Sequence, residues 1–69
     1  MSIFSQRLKA LRIERGLTLK TISLQFSLPL TTYAGYEQGV RQPPIELIVE
    51  FCNFFDVSAD YLIGRVDYY

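Results

Sequence analysis

Residues 19–38 read LKTISLQFSLPLTTYAGYEQ, two apolar periodicities interrupted at Ser27. Thr18, just ahead of the stretch, is a natural N-cap, because its hydroxyl accepts from an N–H of the first helical turn. Ile22 and Phe26 fall four apart, on one face of a helix. Leu28 then plugs a turn, and Pro29 suits the first turn of a second helix, where its missing N–H has no intrahelical partner. Tyr33 and Tyr36, three apart, face inward from that helix, and Gly39 suits the left-handed position that ends it. Ser23 sits where two steeply crossing helices come closest, which admits only a small side chain. The spacing predicts helix, tight turn, helix over 19–38, with the second helix at about 30–38.

The flanks follow the same grammar. Phe4, Leu8 and Leu11 recur at spacings of four and three, with Ser2 to cap that helix and Gly16 to end it. Arg7, Lys9, Arg12 and Arg15 lie mostly off its apolar face. Gln42-Pro43-Pro44 is a break. Beyond it Ile45, Ile48, Cys52 and Phe55 form a stripe flanked by Val49 and Phe51. Ser58 caps a short last helix closed by Gly64. The β-formers between Phe51 and Val57 are interrupted by Asn53 and Asp56. The expected architecture is all-α: a compact bundle of about five short helices, forming one domain over 1–69.

Composition narrows the function. A single cysteine, Cys52, excludes an internal disulfide, and with no histidine the usual zinc spacings and the commonest general base are missing. No serine lies in a nucleophile-elbow setting. These features argue against an enzyme, a metal site or a cofactor, and no small-molecule pocket is evident. There is neither a membrane-length apolar run nor a signal h-region at the N-terminus, so the expected location is cytoplasmic. The net charge is zero but unevenly spread. The first 41 residues carry six Lys/Arg against two Glu, a net +4, and the last 28 carry one Arg against five acids, a net −4. That asymmetry hints at an anionic partner for the first half.

Three stretches, FSQRLKALRIERGLT (4–18), TYAGYEQGVRQP (32–43) and FFDVSADYLIGR (54–65), resemble the phage repressor and Cro-type helix-turn-helix family, also called the XRE family. All three lie in order and at family spacing, covering nearly the whole chain. The resemblance implies a lambda-repressor-like bundle that binds duplex DNA, usually as a homodimer on a two-fold operator. The second helix of the motif would lie in the major groove, with half-sites one helical turn, roughly 34 Å, apart. It also marks departures. Leu19 stands where a phosphate-contacting glutamine is common, Leu30 and Gly35 where polar or basic base-readers are common, and Ser27 where the turn glycine is usual. Ser27 either takes a positive φ at a cost on the order of 1 kcal/mol, or Pro29 helps the chain into a slightly different turn.

Carried onto this sequence, the resemblance makes Leu30, Thr31, Thr32 and Gly35 the base-reading candidates. A threonine offers a hydroxyl to a base edge and a methyl to thymine, Leu30 an apolar contact, and Gly35 a close approach to the groove floor. Leu19, Lys20, Gln38, Arg41, Gln42 and Arg12 are candidates for the DNA backbone, with Arg7 able to reach its flank. Because the second helix itself carries no Lys or Arg, the expected readout favours A·T-containing steps, with a shallow salt slope of about −3 per protomer. Glu37 is expected to pair with Arg12 or Arg41. Leu47, Phe54, Leu62, Tyr68 and Tyr69 are candidates for a dimer interface. The rival reading is a helix-turn-helix module that has lost base reading and acts through protein binding, in the manner of an antirepressor or antitoxin.

Overall fold

Serine and threonine hydroxyls start three of the helices, each accepting from a backbone N–H three residues on: Ser2 from Ser5, Thr18 from Thr21 and Ser58 from Tyr61. A cap of this kind stabilises its helix by about 1 kcal/mol. The computed structural model describes residues 2–69, which form α1 (Ile3–Glu14), α2 (Leu19–Gln25), α3 (Leu30–Gln38), α4 (Ile45–Phe55) and α5 (Ala59–Ile63). No strand occurs among the described residues. Pro29 and Pro44 occupy the N-cap positions of α3 and α4. Gly16, Gly39 and Gly64 take positive φ after α1, α3 and α5.

The two readings of the α2–α3 turn are resolved at Ser27, whose φ is 55°. A side chain there crowds the following carbonyl, at a cost of about 1 kcal/mol. The turn holds nonetheless, because Leu28 N–H donates to the Ser23 carbonyl at 2.9 Å and Leu28 packs against the core. Ser23 is buried and its hydroxyl bonds the Leu19 carbonyl at 2.6 Å, so its one polar atom is satisfied within α2. Asp56 takes the same left-handed conformation, φ 56°, to end α4.

The core is built from Leu8, Leu11, Ile22, Tyr33, Tyr36, Phe51, Cys52, Phe55 and Leu62, one cluster drawing on all five helices. Phe51 is its hub: the rings of Phe26, Tyr33 and Tyr36 meet it edge-on at 4.8, 6.0 and 6.2 Å. Edge-to-face pairs add about 0.5–1.5 kcal/mol each beyond area burial. This corrects the expected phase of α4. Ile45, assigned to the inner stripe, is 75% exposed, whereas Phe51, assigned to its flank, is fully buried. Eight of the eleven residues of α4 are apolar, so periodicity leaves its rotation open and the aromatic hub sets it. Burial raises the Cys52 thiol pKa, which keeps it a neutral core side chain.

Tyr33 is buried to its hydroxyl, which has no hydrogen-bond partner among the described residues. Burial first, and the neighbouring Glu37 carboxylate second, raise its pKa far above the ordinary phenol value. A raised folded-state pKa contributes stability that is complete below about pH 10 and is lost as the pH climbs past it. Tyr33→Phe is therefore expected to keep or raise stability by up to about 1 kcal/mol in urea at neutral pH. It is also expected to soften the decline between about pH 9 and about pH 11. A loss above about 1 kcal/mol at neutral pH would mean that the hydroxyl is paired, contrary to this account.

Candidate nucleic-acid interface

The orientation of α3 is set from beneath by an ion pair. Arg12 Nε donates to Glu37 Oε2 at 2.8 Å and Nη2 to Oε1 at 3.1 Å, while Nη1 donates to the Leu17 carbonyl at 2.8 Å. One guanidinium thus ties α1, the α1–α2 turn and α3 together, and the two side chains are only 12% and 5% exposed. The hydrogen bond to Glu37, ahead of the opposing effect of burial, raises the Arg12 pKa. Of the two partners expected for Glu37, Arg12 is the one used. The expectation that Arg12 contacts the DNA backbone is corrected accordingly, since its donors are turned inward.

Two more α1 arginines bind the protein itself. Arg7 donates to the Tyr61 and Val66 carbonyls, pairs with Asp67 at 3.4 Å and stacks 4.2 Å from the Tyr61 ring centre. Its guanidinium is therefore engaged within the protein rather than free for a flanking phosphate. Arg15 donates to the Phe55 carbonyl at 2.9 Å, capping the C-terminus of α4. Arg65 pairs with Asp60. Among the described residues, Arg15, Lys9, Lys20 and Arg41 make no ion pair, and Arg15 is already engaged by the α4 carbonyls.

With Tyr33, Tyr36 and Glu37 turned inward, a rotation of about 100° per residue places Thr31, Gly35 and Gln38 on the opposite face of α3. Thr31 and Gln38 are exposed, Leu30 is 49% exposed and Thr32 is half-buried. Lys9 meets this face at a shallow cleft of about 300 Å³, lined also by Leu19, Ala34 and Gln38 and floored by Arg12 and Glu37. Leu19 packs partly into the core, while Lys20 and Gln42 are exposed.

Gly35 is not the open gap that the sequence suggested. It is buried, because the Arg41 side chain lies over it: a Cβ at Gly35 would stand 2.8 Å from Arg41 Cδ and 3.3 Å from Nε. Its φ is that of an ordinary helix, so no left-handed backbone demands glycine here. A mid-helix glycine costs about 1 kcal/mol relative to alanine, which leaves the seat for Arg41 as the visible reason for it.

Residues 8–62 match the sequence model of the family described as helix-turn-helix. The chain belongs to this family. The helix-turn-helix motif expected over 19–38 is α2, the Ser27 turn and α3. Relatives include the "Uncharacterized HTH-type transcriptional regulator YobD" of Bacillus subtilis (strain 168), 32% identical over 94% of this chain and 58% of its own length. The HTH-type transcriptional regulator AnsR of the same organism is 36% identical, over 86% of this chain and 51% of that protein. The cryptic phage CTXphi transcriptional repressor RstR of Vibrio cholerae is 28% identical, over 90% and 56%. The chain spans about half the length of these relatives.

Of the residues expected at a dimer interface, Leu62 is the one that the structure removes, and Tyr68 and Tyr69 are exposed. Leu62 is fully buried in the core beneath α5, so it offers nothing to a second copy. Leu47 and Phe54 are partly buried, with the Phe54 ring set between Phe26 at 5.3 Å and Phe55 at 5.0 Å. Tyr69 meets the Tyr61 ring edge-on at 4.7 Å and its hydroxyl donates toward Glu14, whose charge raises the Tyr69 pKa. Tyr68 does stand free, at 74% exposed. The apolar side chains that α4 leaves exposed are Ile45 and Val49.

If the Arg12–Glu37 pair holds α3, Glu37→Ala strands a buried guanidinium and should cost about 3 kcal/mol in urea unfolding. Lys20→Ala, an exposed cation on the adjacent helix, should change stability by less than about 0.5 kcal/mol. A cost below about 1 kcal/mol for Glu37→Ala would mean that α3 is held by its aromatic face alone.

Proposed function

We propose that this protein is a sequence-specific transcriptional regulator, acting as a repressor in the cytoplasm. It binds duplex DNA as a homodimer on a two-fold operator, with α3 in the major groove. The observation that carries the reading is the outer face of α3. Thr31 and Gln38 are open there, Leu30 is exposed at the start of the helix, and Lys9, Lys20 and Arg41 are the cations around the motif that no ion pair or carbonyl contact engages. The transcriptional regulators and the phage repressor among the relatives support it.

Thr31 and Leu30 are the readers on the exposed part of α3, with Thr32 at its edge. Hydroxyl and methyl contacts of this kind favour thymine. Lys9, Lys20, Gln38 and Gln42 hold the DNA backbone, where such contacts set register rather than sequence. Three unpaired cations imply a log–log salt slope no steeper than about −3 per protomer. Ile45 and Val49 on α4 and the free Tyr68 give a second copy apolar surface to cover.

Selection from a random duplex pool at low salt is expected to enrich a two-fold, A·T-containing site, and titration of the winner to give that slope. Thr31→Ala should weaken binding at one base position per half-site by about 1–3 kcal/mol. A loss equal for all sequences would remove Thr31 from the reading set. No enrichment by the unmodified protein would overturn the DNA-reading function in favour of a protein-binding module.

A further inference from the structure

We propose that Arg41 is the guanine-reading side chain of this protein, delivered onto the outer face of α3 by a seat that only glycine at position 35 provides. The inference deepens the DNA-binding function proposed above and rests on it.

Arg41 is tied to Gly35 at both ends. The N–H groups of Gly39, Val40 and Arg41 all converge on the Gly35 carbonyl, the last two at 3.1 and 3.2 Å, which fixes where the backbone of Arg41 leaves the helix. Its side chain then runs back over the Gly35 Cα, with Cγ, Cδ and Nε within 3.3 Å of the place a Cβ would take. Gly35 shares its helix face with Thr31 and Gln38, so the side chain that covers it carries its guanidinium on that face. Arg41 remains exposed and has no ion pair among the described residues, so its donors are uncommitted. A planar guanidinium on a groove-facing helix surface matches the O6 and N7 acceptors of guanine. The helix that carries no arginine of its own borrows one from the loop.

The seat is tested in the free protein and the reading in the complex. An NMR contact between the Gly35 α-protons and the Arg41 δ-protons is expected, and its absence overturns the seat. Gly35→Ala should melt no lower than the parent, because the added methyl displaces only a flexible side chain. Anisotropy titrations with the selected duplex, and with duplexes changed at each base, should show one guanine per half-site. Arg41→Ala, Arg41→Lys and Gly35→Ala should each lose preference for that guanine by about 10- to 100-fold, leaving other positions intact. The Gly35→Ala/Arg41→Ala pair should be no worse than either single change. Lysine keeps the charge but lacks the fork, so a preference retained by Arg41→Lys overturns the proposal. So does an equal weakening of all duplexes by Arg41→Ala, which would mark a phosphate contact. If the parent protein enriches no sequence, the DNA-binding function fails and this inference with it. A parent that selects a site whose guanine preference survives Arg41→Ala defeats this inference alone.

Discussion

The buried Arg12–Glu37 pair is the constraint on which the motif depends. α3 turns an aromatic inner face, Tyr33 and Tyr36, against Phe51 in the core. Glu37 lies on the same helix one turn beyond Tyr33, and Arg12 grips both of its oxygens from α1. A buried pair adds little net stability, since two charges lose their hydration to form it. What it contributes is geometry: rotating α3 would strand both charges, so one rotation is selected and one face of α3 is left outward. The hydroxyl of Tyr33 goes without a partner beside this pair, a local cost of an arrangement fixed by its neighbours.

The other α1 arginines show how a chain of this size closes its helices. A small domain buries a limited share of its surface, and helix ends leave carbonyls unsatisfied. Arg15 answers those of α4, and Arg7 those of α5 and the segment after it. Each also lays its guanidinium near an aromatic ring, Phe55 and Tyr61, so each charge stays partly in contact with the core. The positive excess of the first half is therefore mostly structural. Read as a field, +4 overstates what faces a partner, because Arg7, Arg12 and Arg15 are already engaged.

Legibility follows the range of the physics. The caps at Ser2, Thr18 and Ser58, the glycine stops and the inward set Ile22, Leu28, Tyr33 and Tyr36 depend on neighbours a few residues away, and the sequence displays them. The rotation of α4 depends on which ring reaches the middle of the bundle, which eight apolar residues out of eleven cannot announce. The long-range arginine contacts span 25 to 60 residues of sequence, and a basic residue on a helix surface looks the same whether it meets water, phosphate or a distant carbonyl. Leu62 was misplaced for a related reason: on a helix of five residues there is too little period to separate inside from outside. Gly35 misled most, because an absent side chain reads as space and the space was filled from the loop.

That filling bears on how a protein with zero net charge could still read a groove. An arginine fixed on binding loses up to about 2 kcal/mol of rotamer freedom, and a short helix with one open face has little affinity to spare. Laying Cγ and Cδ of Arg41 along Gly35, with the backbone N–H already bonded to the Gly35 carbonyl, removes part of that freedom before DNA arrives. Placing the guanidinium by way of the loop also spares α3 the long side chain itself. In the proposed complex Thr31 contacts bases with its short side chain, and the longer reach comes from Arg41. Glycine at position 35 weakens the helix locally, and the space it leaves is the seat on which the proposed arginine fork rests.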